Sequence, residues 1–156
     1  MTAADHTHVR TGIPEAAAGA RAAGLLVDAC AAGESLQVRV VRDAALDLQR
    51  ELNALQDGAS TPDALADATA RCADLANLAT CNVPYLVAPG VAKAVAATHL
   101  AVGAARALEA RIEATARELD EPRFGYLVRD ARGAAWRARL AASQVDELLA
   151  ARNREV

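Results

Sequence analysis

Glu109 and His99 are the residues best suited by type to move a proton in this chain. A carboxylate or an imidazole can act as general acid or base near neutral pH when a cleft holds it against a reacting group. Arg106 lies three residues before Glu109. On a helix that spacing puts both on one face, where an ion pair is the plainer reading. A hydrogen-bonded structural role is likewise the plainer reading of His99. Further along, Arg123, Arg129, Arg132, Arg137 and Arg139 offer guanidinium forks that match phosphate or carboxylate. Asp130, Asp146 and Glu147 share that stretch, so a solvated mixed face is the default and an anionic ligand the alternative.

Other chemistry has little support. There is no G-x-S-x-G, no P-loop and no G-x-G-x-x-G. His6 and His8 are near enough to share a metal, but two ligands on a tail fix no coordination geometry, and no metal site is expected. Cys30, Cys72 and Cys81 are odd in number and form no C-x-x-C pair. They read as small buried hydrophobes in a reducing compartment.

Helices must position these groups. Residues 1–12 read as a flexible arm, and residues 13–154 as a single helical-bundle domain. The first helix begins at Ile13-Pro14-Glu15, with proline in the first turn and an acid at the positive helix end, and runs to about Ala32 before Gly33. A second runs from about Glu34 to Gln56, with Val41, Ala45, Leu48, Leu52 and Leu55 forming one apolar stripe. Ser60-Thr61-Pro62-Asp63 starts a third, which fades near Thr80–Asn82. The segment Asn82–Gly90 holds Pro84 and Pro89, cannot be one continuous helix, and is too apolar for an ordinary solvent loop. It is therefore a candidate part of a site. A fourth helix follows from about Val91 to Leu119, and a fifth from about Arg123 to Asn153 after Asp120-Glu121-Pro122.

The bulk properties agree with an all-α antiparallel bundle of five helices. Of 156 residues, 53% are hydrophobic but only 3% aromatic, so alanine, leucine and valine carry the apolar load. Alanine favours helix and fills little space, so helix axes can approach closely. A net charge of −3 lacks the basic footprint that nucleic-acid binding needs. No long uncharged apolar run suggests a membrane span, and Met1–Arg10 lacks a secretory pattern, so a cytoplasmic protein is expected.

The loop Tyr85-Leu86-Val87-Ala88-Pro89-Gly90, followed by His99, Ala101, Arg106 and Glu109, resembles the PduO-type ATP:cob(I)alamin adenosyltransferases. Leu46-Asp47-Leu48-Gln49-Arg50-Glu51-Leu52 is similar to a second family stretch. Ala73-Asp74, Tyr126-Leu127-Val128-Arg129 and Ala138-Arg139 fall in family order. The resemblance covers about residues 9–140 and implies a five-helix bundle, a homotrimer and a pocket between subunits. It assigns ligand contacts to Tyr85, Leu86, Arg106 and Arg129, with Glu109 or His99 as acid or base. The family's phosphate-binding N-terminal segment has no counterpart in Met1–Gly12, and two of its fourth-helix arginines fall on Val102 and Ala107. Its last-helix asparagine and aspartate fall on Val128 and Arg132, and its corrin-facing phenylalanine falls on Leu86. Triphosphate needs several converging donors, so ATP is not expected, while cobalamin stays a candidate ligand.

Three functions follow. The first is a divergent adenosyltransferase-like protein that has lost ATP chemistry and binds or transforms another small molecule. The second is an active or merely corrinoid-binding adenosyltransferase. The third is a non-catalytic helical interaction or assembly module. Cyclodeaminase-like helical proteins also share Asn82 and the Gly90-Val91-Ala92 helix start, but the first two helices fit them poorly.

Overall fold

The computed structural model describes residues 12–155, and the expected arm with His6 and His8 lies outside the described residues. Five helices follow in order: α1 (Pro14–Ala29), α2 (Leu36–Asp57), α3 (Pro62–Asn82), α4 (Ala88–Leu119) and α5 (Gly125–Arg154). Short 3-10 turns at Val83–Tyr85 and Pro122–Phe124 precede α4 and α5. The described residues contain no strand, so the chain is an all-α bundle.

Local signals explain the starts. Ser35 Oγ accepts the Val38 N–H at 3.2 Å, and Thr61 Oγ1 accepts the Ala64 N–H at 3.2 Å. Each cap satisfies a first-turn donor that would otherwise lack a partner. Two boundaries differ from the sequence expectation. α1 ends at Ala29, because Cys30–Ala32 form the turn that redirects the chain into α2. α4 begins at Ala88, because Pro89 falls in the first turn, where a missing N–H costs nothing.

Helices consecutive in the chain run antiparallel, and α3 and α5, both packed on α4, run parallel to each other. Gly12 N–H donates to Gly58 O at 2.8 Å and Ile13 N–H to Gln56 O at 3.0 Å, joining the start of α1 to the end of α2. Gly12 has φ +99°, and a Cβ there would lie 2.9 Å from Gln56 O, so only glycine suits this entry. Gln37 Nε2 donates to Asn82 Oδ1 at 2.8 Å, joining the start of α2 to the end of α3. Arg111 Nη1 donates to Glu15 Oε2 at 2.7 Å, placing the second half of α4 beside the start of α1. At the opposite end Gly90 lies against the Ala29 carbonyl, a contact that any β-carbon would obstruct.

α4 is the central element and packs on α1, α3 and α5. Its buried residues are mostly small: Ala94, Ala97, Thr98, Ala101, Ala104 and Ala105 precede Leu108 and Ile112. Small residues bring helix backbones together, and the larger Leu26, Leu52, Leu65, Leu75 and Leu108 fill the remaining space. Polar groups inside are paired. Thr80 Oγ1 donates to Ala141 O at 3.2 Å and lies 3.3 Å from Thr98 Oγ1, while Thr98 Oγ1 donates to Ala94 O at 3.0 Å. This knot ties α3, α4 and α5 at one level of the core.

Candidate functional site

One edge of the bundle collects most of the candidate residues. On α4, His99, Arg106 and Glu113 follow at seven-residue intervals, so they share a stripe. On α5, Arg132, Arg139 and Asp146 do the same. The stripes meet in antiparallel order. His99 Nε2 lies 3.0 Å from Asp146 Oδ1, Arg139 Nη1 donates to Glu109 Oε2 at 3.3 Å, and Arg132 Nε donates to Glu113 Oε1 at 2.6 Å. Glu109 and Glu113 are tucked toward the seam, while Arg132 and Arg139 reach outward. At these two bridges the edge shows guanidinium to solvent and hides carboxylate, while Asp146 at the far end stays exposed.

Arg106 and Arg129 are exposed and make no hydrogen bond or ion pair among the described residues. Arg106 is one turn from Glu109, and Arg129 is one turn before Arg132. These are the groups with donor capacity left for a ligand. Glu113 and its bond to Arg132 raise that guanidinium's affinity for its proton further, through the hydrogen bond first and the charge second.

The loop residues lie elsewhere. Leu86 is 5% exposed and belongs to the core, whereas Tyr85 is 60% exposed. Both precede α4, so Glu109 lies ~31 Å along the helix axis from that end. His99 and Glu109 are themselves ~15 Å apart along the axis. A single chain thus brings Arg106 to Glu109, leaves Arg129 on the outer side of α5, and joins neither His99 nor Tyr85 to them.

Several grooves open on the surface among the described residues. One of about 620 Å³ lies at the α4–α5 turn, lined by Glu113, Arg117, Asp120, Glu121, Val128 and Arg132 among others. Asp120 caps α4 there with φ 47°, a left-handed conformation that Asp tolerates better than bulkier residues. A second of about 360 Å³, between the end of α3 and α5, is lined by Thr80, Cys81, Pro84, Gln144, Glu147 and Leu148 together with Ala151. A third of about 530 Å³ opens where Arg21, Asp28, Gln49 and Leu100 approach one another.

The cysteines divide. Cys72 is buried, and burial pushes its thiol up to about 12, so it stays protonated and inert at neutral pH. Cys30 is buried and its thiol is raised as well, by burial first, with Arg42 opposing. Cys81 is exposed, contrary to the expectation that all three would be buried. The apolar reading failed there because Cys81 falls on the side of α3 that opens into the second groove. Among the described residues no group of His, Cys, Asp and Glu is placed to hold a metal ion.

Sequence reasoning did not find Glu113 or Trp136. By type Glu113 is one charge among many on α4, but its seven-residue spacing from Arg106 and His99 is a usable signal. Trp136, the sole tryptophan of the sequence, is 58% exposed on α5. No family model, no curated protein and no solved structure matches this chain.

Proposed function

We propose that this chain is a divergent relative of the PduO-type adenosyltransferases that has lost ATP-dependent adenosyl transfer and binds a small anionic or polar-headed molecule. The observation that carries the reading is Arg106, an exposed guanidinium without a partner one turn from the Glu109–Arg139 bridge, with Arg129 likewise exposed and unpartnered on α5. Those groups are open to solvent, and the apolar loop residue Tyr85 is far from them. A pocket containing both needs a second copy to supply the missing wall, in keeping with the homotrimer that the family resemblance implies. Pockets between subunits with apolar walls and a few polar groups are a common form of ligand site.

The residues do not fit a triphosphate. Val102 is buried and apolar, and Ala107 has no donor, at two positions where the family places arginine. Corrin binding is compatible with the exposed Tyr85 and Val87, since a flat macrocycle is held more by apolar surface than by charge. If the molecule is transformed as well as bound, Glu109 is the candidate acid or base, because it is half-shielded and held by Arg139.

The test is calorimetry and absorbance with ATP, cob(II)alamin and both together, repeated on Arg106→Ala and Glu109→Gln. No binding of ATP is the expected result, and cobalamin bound without ATP, weakened in both variants, would identify the ligand as a corrinoid. Cobalamin bound only with ATP would restore adenosyl transfer. No spectral change with cobalamin would remove the corrinoid reading and leave the edge to another ligand.

A further inference from the structure

α5 has two faces of opposite character. Leu127, Ala131, Ala134, Ala138, Ala141 and Val145 form its buried stripe, at alternating steps of four and three residues. Displaced by two residues, and so on the opposite side of the helix, runs a second stripe with the same rhythm: Arg129, Gly133, Trp136, Leu140, Ser143 and Glu147. Trp136 is 58% exposed and Leu140 is 44% exposed. A large aromatic and a leucine one turn apart on the outer face are what an unpartnered helix seam looks like.

We infer that this outer stripe of α5 pairs with the same stripe of a second copy, antiparallel about a two-fold axis between Trp136 and Leu140. The stripe is self-complementary under that operation. Trp136 meets Leu140 of the second copy, and Leu140 meets its Trp136. Gly133 meets Ser143, two small residues that let the helices approach. Arg129 meets Glu147, so opposite charges close both ends of the seam. A two-fold contact must satisfy each such pairing twice, and these three do so with apolar, small and charged partners in the right order.

Flanking charges bear on the register too. Arg132 falls beside Asp146 of the second copy, but each already has a partner within its own chain, Glu113 and His99. Arg137 falls beside its own counterpart near the axis, an unfavourable one, while Arg139 is already neutralised by Glu109 within its chain. The contact involves a single helix from each copy and lies at the small end of stable interfaces, so it is reversible and concentration-dependent. The inference does not rest on the ligand reading. It would join two rings if the chain also forms a three-fold assembly, and it engages Arg129 with Glu147 of the second copy rather than with a ligand.

The experiment uses the full chain without ligand, in sedimentation equilibrium and in fluorescence, since Trp136 is the sole tryptophan of the sequence. The expected result is a reversible species of even copy number, with Trp136 emission shifting to the blue as it forms. Trp136→Arg and Leu140→Arg should each weaken association roughly tenfold or more. Arg137→Gln should tighten it. Arg129→Glu and Glu147→Arg should each weaken it alone, and mixing those two variants should restore it, because each end then pairs opposite charges again. A wild-type chain that stays monomeric to its solubility limit would overturn the inference. So would an assembly that neither Leu140→Arg nor the mixture alters, or one that leaves Trp136 emission unmoved. Helical circular dichroism of each variant separates lost pairing from lost folding.

Discussion

Glu109 and Arg139 are joined across the α4–α5 seam at 3.3 Å, with the carboxylate turned inward and the guanidinium reaching toward solvent. The same arrangement recurs at Glu113 and Arg132. At these two bridges the accessible group is the cation and the shielded one the carboxylate, while Asp146 stays exposed beside His99. Arg106 and Arg129 are exposed without partners of their own.

Because Arg139 is largely exposed, its bond to Glu109 is screened by water and contributes little to stability. Arg139→Ala should lower unfolding free energy by under ~1 kcal/mol in urea titration. A loss well beyond that would mean that the seam is structural and not a poised ligand edge.

Cys72 makes stability depend on alkaline pH. Its thiol is raised from 9.0 to about 12 in the folded chain by burial. Between those values the unfolded chain loses the proton and the folded chain keeps it, so stability falls as pH rises. The contribution is complete below pH 9 and is lost on approaching pH 12. Cys72→Ala should flatten this part of the profile of urea midpoint against pH. An unchanged slope would place the alkaline loss elsewhere.

Thiol labelling should follow the same division. Cys81 is exposed and should react with a maleimide in the native protein, while Cys72 should stay protected until unfolding. Mass spectrometry of the labelled peptides reads this directly. Native labelling of Cys72 ahead of Cys81 would contradict the packing of α3.

The alanine core should resist enlargement as well as truncation. Ala101 is fully buried, and Ala101→Leu should destabilise by ~1–3 kcal/mol although leucine is a good helix former. Leu108→Ala should cost ~2–5 kcal/mol. If Ala101→Leu were neutral in thermal unfolding, α4 would not be closely packed against its neighbours.

Helix termination should be separable from packing. Thr61→Ala removes the acceptor of the Ala64 N–H at the start of α3 and should cost about 1 kcal/mol. Thr61→Ser keeps the acceptor and should cost a fraction of that. Equal effects from both, measured by chemical unfolding, would show that the cap bond contributes nothing.

The amino-acid sequence by itself determined the helices and their order, because capping, proline placement and apolar period act within a few residues of each other. Thr61-Pro62 and the stripe through Val41, Ala45 and Leu52 needed no tertiary information. It also singled out Arg106, Glu109 and the α5 arginines by type. Tertiary structure decided which charge met which. Glu109 turns to Arg139, Glu113 to Arg132 and His99 to Asp146, because antiparallel packing brings together positions far apart in the chain. It decided too that Leu86 is buried beside an exposed Tyr85, and that Cys81 faces outward while Cys72 does not. Alanine made these outcomes hard to read in advance. A residue that favours helix on every side marks no preferred face, so only the packed bundle selected which stripe of α5 turned inward and which kept Trp136 in solvent.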